Sequence, residues 1–184
     1  DLDLSIRRQR QMCIRDSPII RRATIADAPV IYDLVCNLAE FQKASDRVRT
    51  SLEQIVETMF GDNPQVWAEL VEDEDGVQGM ALWFVTYSTW EGSYGIHMED
   101  LFVRPEARGK GYASLLFQRL ALIMEEKGWA RMEWTVIDWN QPAIDVYQHM
   151  GGEEIEGWYD YRMIGEPVHA LAEQGRQNGL TAEL

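Results

Sequence analysis

The spacing of hydrophobic positions changes several times along the chain, and each change predicts an element. "PIIRRA" (18–23) reads as a short strand. Thr24 with Asp27 three residues on resembles a capping box, and "APVIYDLVCNLAE" after it carries apolar residues at helical spacing. Ser51 with Gln54 predicts a second helix, which runs through Phe60 and stops at Gly61. "VWAELVE" (66–72) alternates, "DEDG" (73–76) turns, and "VQGMALWFVTY" (77–87) alternates again, the pattern of a hairpin. "STWEGSYG" (88–95) is a loop, and "IHMEDLFV" (96–103) is the next strand. Helical spacing returns from Ala113 to Lys127 and closes at Gly128. "ARMEWTVI" (130–137) predicts a strand, Asn140 caps a helix opened by Pro142 and reaching His149, and "GWYDYRMI" (157–164) predicts a last strand. The tail from Gly165 is weakly helical. This order, βααβββαβαβ, has no repeat and no linker, so the expected fold is α/β, one domain with a mixed central β-sheet flanked by helices.

Residues 1–17, "DLDLSIRRQRQMCIRDS", show neither an apolar signal-peptide core nor a helical period, and "QMCIRDS" reads like a translated adapter. The expected division is a loosely packed, non-native or disordered leader at 1–17, a domain at 18–174 and a C-terminal tail at 175–184. The net charge is −14; the leader holds four Arg and three Asp, so the remainder carries −15. Nucleic acid and anionic membranes are polyanions and poor partners for such a chain. A small cation is a better one, although acidity for solubility alone accounts for the charge equally well. Hydrophobic residues make up 46 %, including seven Trp and seven Tyr, enough for a folded core. No apolar run approaches the ~18 residues of a membrane span. The two cysteines, Cys13 and Cys36, form neither a disulfide framework nor a metal-ligand spacing, which makes a cytoplasmic setting the default and predicts no metal.

"RPEARGKGYASLL" (104–116) is the stretch with chemistry in it. A phosphate-binding GxxxxGK[ST] has the wrong spacing, and GxGxxG fails at Ser114. The pattern [QR]xxGx[GA] is met by Arg108, Gly111 and Ala113. Glycines let the backbone approach a ligand, and free N–H groups at a helix N-terminus favour an anion such as a pyrophosphate. A loop that merely turns the chain would carry the same six residues.

From Ile19 to about Glu173 the chain resembles the GNAT superfamily of acyl-CoA-dependent N-acetyltransferases, most of all the spermidine/spermine (diamine) N-acetyltransferases. The matching pieces, in order, are "TYSTW" (86–90), "MEDLFVRPEARGKGYASLL" (98–116), "DWNQPAIDVY" (138–147) and "EGW" (156–158). The resemblance implies acetyl transfer from acetyl-CoA to an amine by direct attack, with no covalent acetyl-enzyme. It implies that Arg108, Gly109, Lys110, Gly111, Tyr112, Ala113 and Ser114 hold the pyrophosphate, and that the strand Leu101, Phe102 and Val103 pairs with the pantetheine arm. Asn140, Pro142, Ala143 and Tyr147 border the same cofactor. Tyr147 becomes the candidate general acid, since a phenol stays protonated at neutral pH and can donate to a leaving thiolate; a tyrosine packing one face of a helix would look the same.

Glu99 is the candidate base, acting directly or through water, and its charge would attract a cationic amine. Strand alternation puts Glu99 and Asp100 on opposite faces, so only one enters a given cleft unless a bulge intervenes. Phe41, Trp90, Trp134 and Glu156 match family positions near the acceptor, with ordinary packing the competing role for Phe41 and Trp134, and Gln42 is a further substrate-binding candidate at a position where the family residue differs. The chain departs from the diamine enzymes at Gln42 and Ser88, where an acid is usual, and at His97, where Tyr is usual. Two fewer carboxylates favour a shorter amine or a lysine analogue such as thialysine over a long polyamine. Acetylation of another amine (a protein N-terminus, an amino acid, an antibiotic) and a non-catalytic CoA-binding module remain the alternatives. The resemblance also implies a homodimer, for which Trp158 and Tyr159 are interface candidates.

Overall fold

An extended segment persists only where a neighbour takes up its backbone N–H and C=O groups. The structure, a computed structural model, describes residues 17–182; the expected leader, apart from Ser17, lies outside the described residues. Five strands pair in chain order: β1 (Ile19–Arg22), β2 (Val66–Asp73), β3 (Gly76–Ser88), β4 (Ser93–Val103) and β5 (Arg131–Trp134). The first four are antiparallel, and β5 joins β4 in parallel. A parallel pair needs a crossover, which α3 (Tyr112–Lys127) supplies. Two helices, α1 (Ala28–Phe41) and α2 (Leu52–Phe60), lie between β1 and β2.

Alternation in β2 and β3 sorts side chains onto two faces. Ala68, Leu70, Met80 and Leu82 meet Ile31, Leu34 and Leu38 of α1 and Ile55 and Met59 of α2 in one apolar core. On the other face Glu69 is fully buried, yet its carboxylate has partners: Arg119 of α3 donates at 3.1 Å, the Trp83 indole at 3.4 Å, and Arg22 of β1 pairs with the same group. Leu116 and Leu120 of α3 are fully buried. The capping boxes expected at Thr24 and Ser51 are both present.

The chain divides into two compact units, one reaching Val146 and one beginning at Tyr147, so the division falls within α4 (Gln141–His149). The second unit contains the end of α4, a stretch without regular structure at 151–165, and α5 (Glu166–Gln177). The strand expected at 157–164 is not formed. These residues have no ladder partner among the described residues, and Tyr161 is 94 % exposed. Trp, Tyr, Met and Ile favour strands, but that preference describes fit to a pleated neighbour and makes no strand alone. The strand expected at 130–137 ends at Trp134, and one helix spans the expected boundary at 174/175. Among the described residues no helix is long and apolar enough to cross a membrane.

Candidate active site

The pairing of β4 and β5 is short. It joins Gly95–Met98 to Arg131–Trp134, where β5 stops, while β4 runs on to Val103. The β5-side edge of residues 99–103 therefore has no ladder partner among the described residues. This edge contains Leu101, Phe102 and Val103, whose other side pairs with Ala81, Met80 and Gly79 of β3. It is an extended row of amide groups open to an extended ligand.

The chain leaves β4 through Arg104 and a single helical turn at Pro105–Ala107, then enters the glycine loop. Gly109 and Gly111 have φ of 77° and 81°, the left-handed region that suits glycine, and a Cβ at either would meet nothing within 4 Å. Glycine is thus required here by dihedral, and the space above it is free. Gly111 is the N-cap of α3 and offers no side chain to the first turn, so Tyr112, Ala113 and Ser114 keep N–H groups that the helix itself does not use. The first i→i−4 bond runs from Leu115 N–H to Gly111 O at 3.1 Å. Sixteen residues of helix stand behind these amides, their dipole positive at this end. Tyr112, read from the sequence as loop, is the first helical residue and is buried.

Arg108 turns back over the end of the strand. Its Nε donates to Val103 O at 3.1 Å, and its guanidinium lies 4.8 Å from the Phe41 ring centre and 5.8 Å from that of Phe102. Phe41 in turn contacts Trp139, ring centres 5.6 Å apart. Trp139 stands beside the expected Asn140 in the sequence, yet its contact was not foreseen. Asn140 opens α4 with its backbone carbonyl, which accepts from Ala143 and Ile144 N–H at 3.0 and 3.1 Å. Pro142 follows in the first turn.

The two carboxylates lie at a register break. Trp83 pairs with Met98 and Leu82 with Asp100, leaving Glu99 as the extra residue of a bulge. The bulge reverses the alternation: His97, paired with Phe84, and Asp100, paired with Leu82, come to the same face of the sheet although three residues apart. His97 stacks on Phe84 with ring centres 4.9 Å apart, and its Nε2 is 3.7 Å from the exposed Glu99 carboxylate. Burial, with the neighbouring Glu99 charge adding to it, raises the Asp100 carboxyl from its ordinary 3.8 to about 6.

The other expected site residues are spread more widely. Trp134 closes β5 and meets the Phe117 ring of α3 edge-on at 5.2 Å. Gln42 is the C-cap of α1, and Trp90 sits in the β3–β4 turn, 86 % exposed. Tyr147 and Glu156 belong to the second unit. The Tyr147 phenol is raised above its ordinary value by burial.

A family model, the acetyltransferase (GNAT) family, matches residues 30–152. The chain is similar to thialysine N-epsilon-acetyltransferase of Sus scrofa, 35 % identical over 167 residues, with 85 % of this chain and 98 % of that protein covered. It is similar to the enzyme of the same name from Caenorhabditis elegans, 34 % identical over 150 residues, covering 80 % and 92 %. An integron cassette protein from the mobile metagenome of V. cholerae has the same fold, with a TM-score of 0.72 at 24 % identity over 85 % of this chain and 98 % of that one. The chain therefore belongs to the GNAT acetyltransferase family and is an N-acetyltransferase.

Proposed function

We propose that this enzyme moves the acetyl group of acetyl-CoA to the primary amine of a small, cationic, lysine-like acceptor by direct transfer. One observation supports this above others: beyond Met98 the edge of β4 has no ladder partner among the described residues, and it leads at one end to a bulge with two carboxylates and at the other to the glycine loop. The loop's chemistry suits a diphosphate, with free N–H groups, a helix dipole and open space over both glycines. When bound, acetyl-CoA supplies an acetyl group already activated as a thioester.

In this reading Arg108–Ser114 hold the diphosphate, and Asn140, Pro142 and Ala143 border the cofactor arm. The backbone of Leu101–Val103 holds the arm in extended form and orients its carbonyl. Glu99, exposed at the bulge, attracts the ammonium form of the acceptor. Asp100 takes one proton from it, either directly or through water, so that a neutral nitrogen attacks. Tyr147 gives a proton to the sulfur as the carbon–sulfur bond breaks, and the second proton that the nitrogen loses on becoming an amide restores the phenol, directly or through water. Phe41 presents an aromatic face beside Arg108 of the glycine loop, while the packing of Trp134 on Phe117 makes it a wall more than a contact. Gln42, Trp90 and Glu156 are the remaining acceptor candidates. The lysine-like acceptor rests on the two relatives named for thialysine and on the acids replaced by Gln42 and Ser88. A cytoplasmic homodimer belongs to the same reading; the exposure of Trp158 and Tyr159, 70 % and 86 %, supports a partner surface there.

The test is a panel of thialysine, lysine, putrescine and spermidine with acetyl-CoA, following release of free thiol. Turnover is expected to be fastest with the lysine-like amines. Thiol release with none of the four rejects the acceptor class, and fastest turnover with spermidine rejects the short-amine choice.

A further inference from the structure

The turn between β2 and β3 reaches the glycine loop through one side chain. Asp73 ends β2, and its side chain is only 10 % exposed. One carboxylate oxygen, Oδ1, accepts from the Asp75 N–H at 3.0 Å and from Gln78 Nε2 at 2.9 Å, which fixes the carboxylate within its own hairpin. The other, Oδ2, points across to the loop. It accepts from the Tyr112 hydroxyl at 2.8 Å and pairs with Lys110 Nζ at 3.4 Å. Lys110 and Tyr112 are the two residues flanking Gly111.

The hairpin is built to make this reach. Val71 pairs with Gly79 and Glu72 with Val77, so Gln78 is an extra residue in β3. Displaced from the ladder, Gln78 turns its amide to Asp73, and its carbonyl accepts from the Arg104 N–H at 2.8 Å. Arg104 Nε donates to Val77 O at 3.2 Å. The same short hairpin end thus grips the loop at both ends, at Arg104 before it and at Lys110 and Tyr112 after it. Within this stretch stand two glycines at positive φ, Gly109 and Gly111, the second of them the N-cap of α3, so its backbone has more conformational freedom than other residues would give it.

We propose that Asp73 is a positioning residue for the acyl donor: it holds the loop in the form that receives the diphosphate, before the diphosphate arrives. This rests on the reading of the loop given above. The hairpin side of the loop is not itself the anion seat: the hollow of about 330 Å³ there is lined by three carboxylates, Glu72, Asp73 and Glu74, against the single cation Lys110, which is already paired with Asp73. Asp73 acts on the loop through the side chains of Lys110 and Tyr112. The pair stays formed across the working range of pH: the hydrogen bond from Tyr112 keeps the Asp73 carboxyl below its ordinary value, and the same bond raises the Tyr112 phenol to about 12. Ordering the loop in advance removes that cost from binding, so the effect falls on donor affinity.

The test uses the full chain, titrated calorimetrically with CoA and assayed with acetyl-CoA and the best amine of the panel. Asp73→Ala is expected to weaken CoA binding and raise KM for acetyl-CoA by about tenfold. KM for the amine is expected to stay within about twofold, since the carboxylates at the bulge are untouched. Tyr112→Phe should weaken CoA in the same sense and add little in the Asp73→Ala background, because both remove one contact. Asp73→Asn, which still accepts from the Tyr112 hydroxyl, should recover part of the loss and serves as the reporter if the alanine variant folds poorly. CoA affinity unchanged in the variants, or tighter because Lys110 is set free, overturns the proposal. So does a loss spread equally over both KM values and kcat, the mark of general damage. A wild-type chain that gives no heat with CoA would overturn the loop reading itself, a result distinct from wild type and variant binding alike.

Discussion

Asp100 separates the two carboxylates at the bulge by a measurement that needs no substrate. Its carboxyl is raised from 3.8 to about 6 by burial and by Glu99, so the folded chain holds this proton more tightly than the unfolded chain. The sign follows from linkage: its contribution to stability is fully present below pH 3.8 and is lost as pH rises through about 6. At about 1.4 kcal/mol per pH unit the whole loss is about 3 kcal/mol, of which about 2 falls between pH 4.5 and 8. Asn mimics the protonated form and does not titrate. Urea melts of Asp100→Asn and wild type should therefore show the variant gaining about 2 kcal/mol on wild type between pH 4.5 and 8. In kcat/KM the wild type should lose about tenfold per pH unit below about 6, and the variant should be slow without that limb. Glu99→Gln should keep the limb and move it to lower pH, because it removes the charge that helps raise Asp100. A stability gap that does not change with pH, or an acid limb that survives in Asp100→Asn and disappears in Glu99→Gln, would refute the assignment and return the base role to Glu99.

Three further outcomes are expected. Gly111→Ala places a side chain at φ 81° in open space, so it should cost about 1 kcal/mol of stability without a clash and weaken CoA measurably by calorimetry. Tyr147→Phe should lower kcat by about 10²-fold or more while leaving CoA affinity within about twofold; an unchanged kcat removes the acid role. Arg22→Met with Arg119→Met leaves the fully buried Glu69 carboxylate, among the described residues, with the Trp83 indole alone, and denaturant melts should show a loss of about 3–5 kcal/mol, largely restored by adding Glu69→Gln.

What the sequence made legible was what depends on neighbours a few residues away. The capping boxes at Thr24 and Ser51 and the hairpin turn expected at 73–76 are local chemistry, and each appears where the residues called for it. The strand at 157–164 could not be read this way, because "GWYDYRMI" has the composition of a strand and a strand also needs an edge to pair with. The bulge at Glu99 was equally hidden. "MEDLFV" alternates acceptably without it, and only the register against β3, Trp83 to Met98 and Leu82 to Asp100, reveals the extra residue. That hidden register brings Asp100 to the face of His97, where burial raises its carboxyl to about 6. Asp73 carries the same lesson, since Asp in a "DEDG" turn has an ordinary local role with Asp75, and its bond to Tyr112 spans 39 positions that no local pattern links. Motifs therefore pointed to the family, while the burial of Asp100 and the reach of Asp73 to Tyr112 depend on strand register and long-range contact.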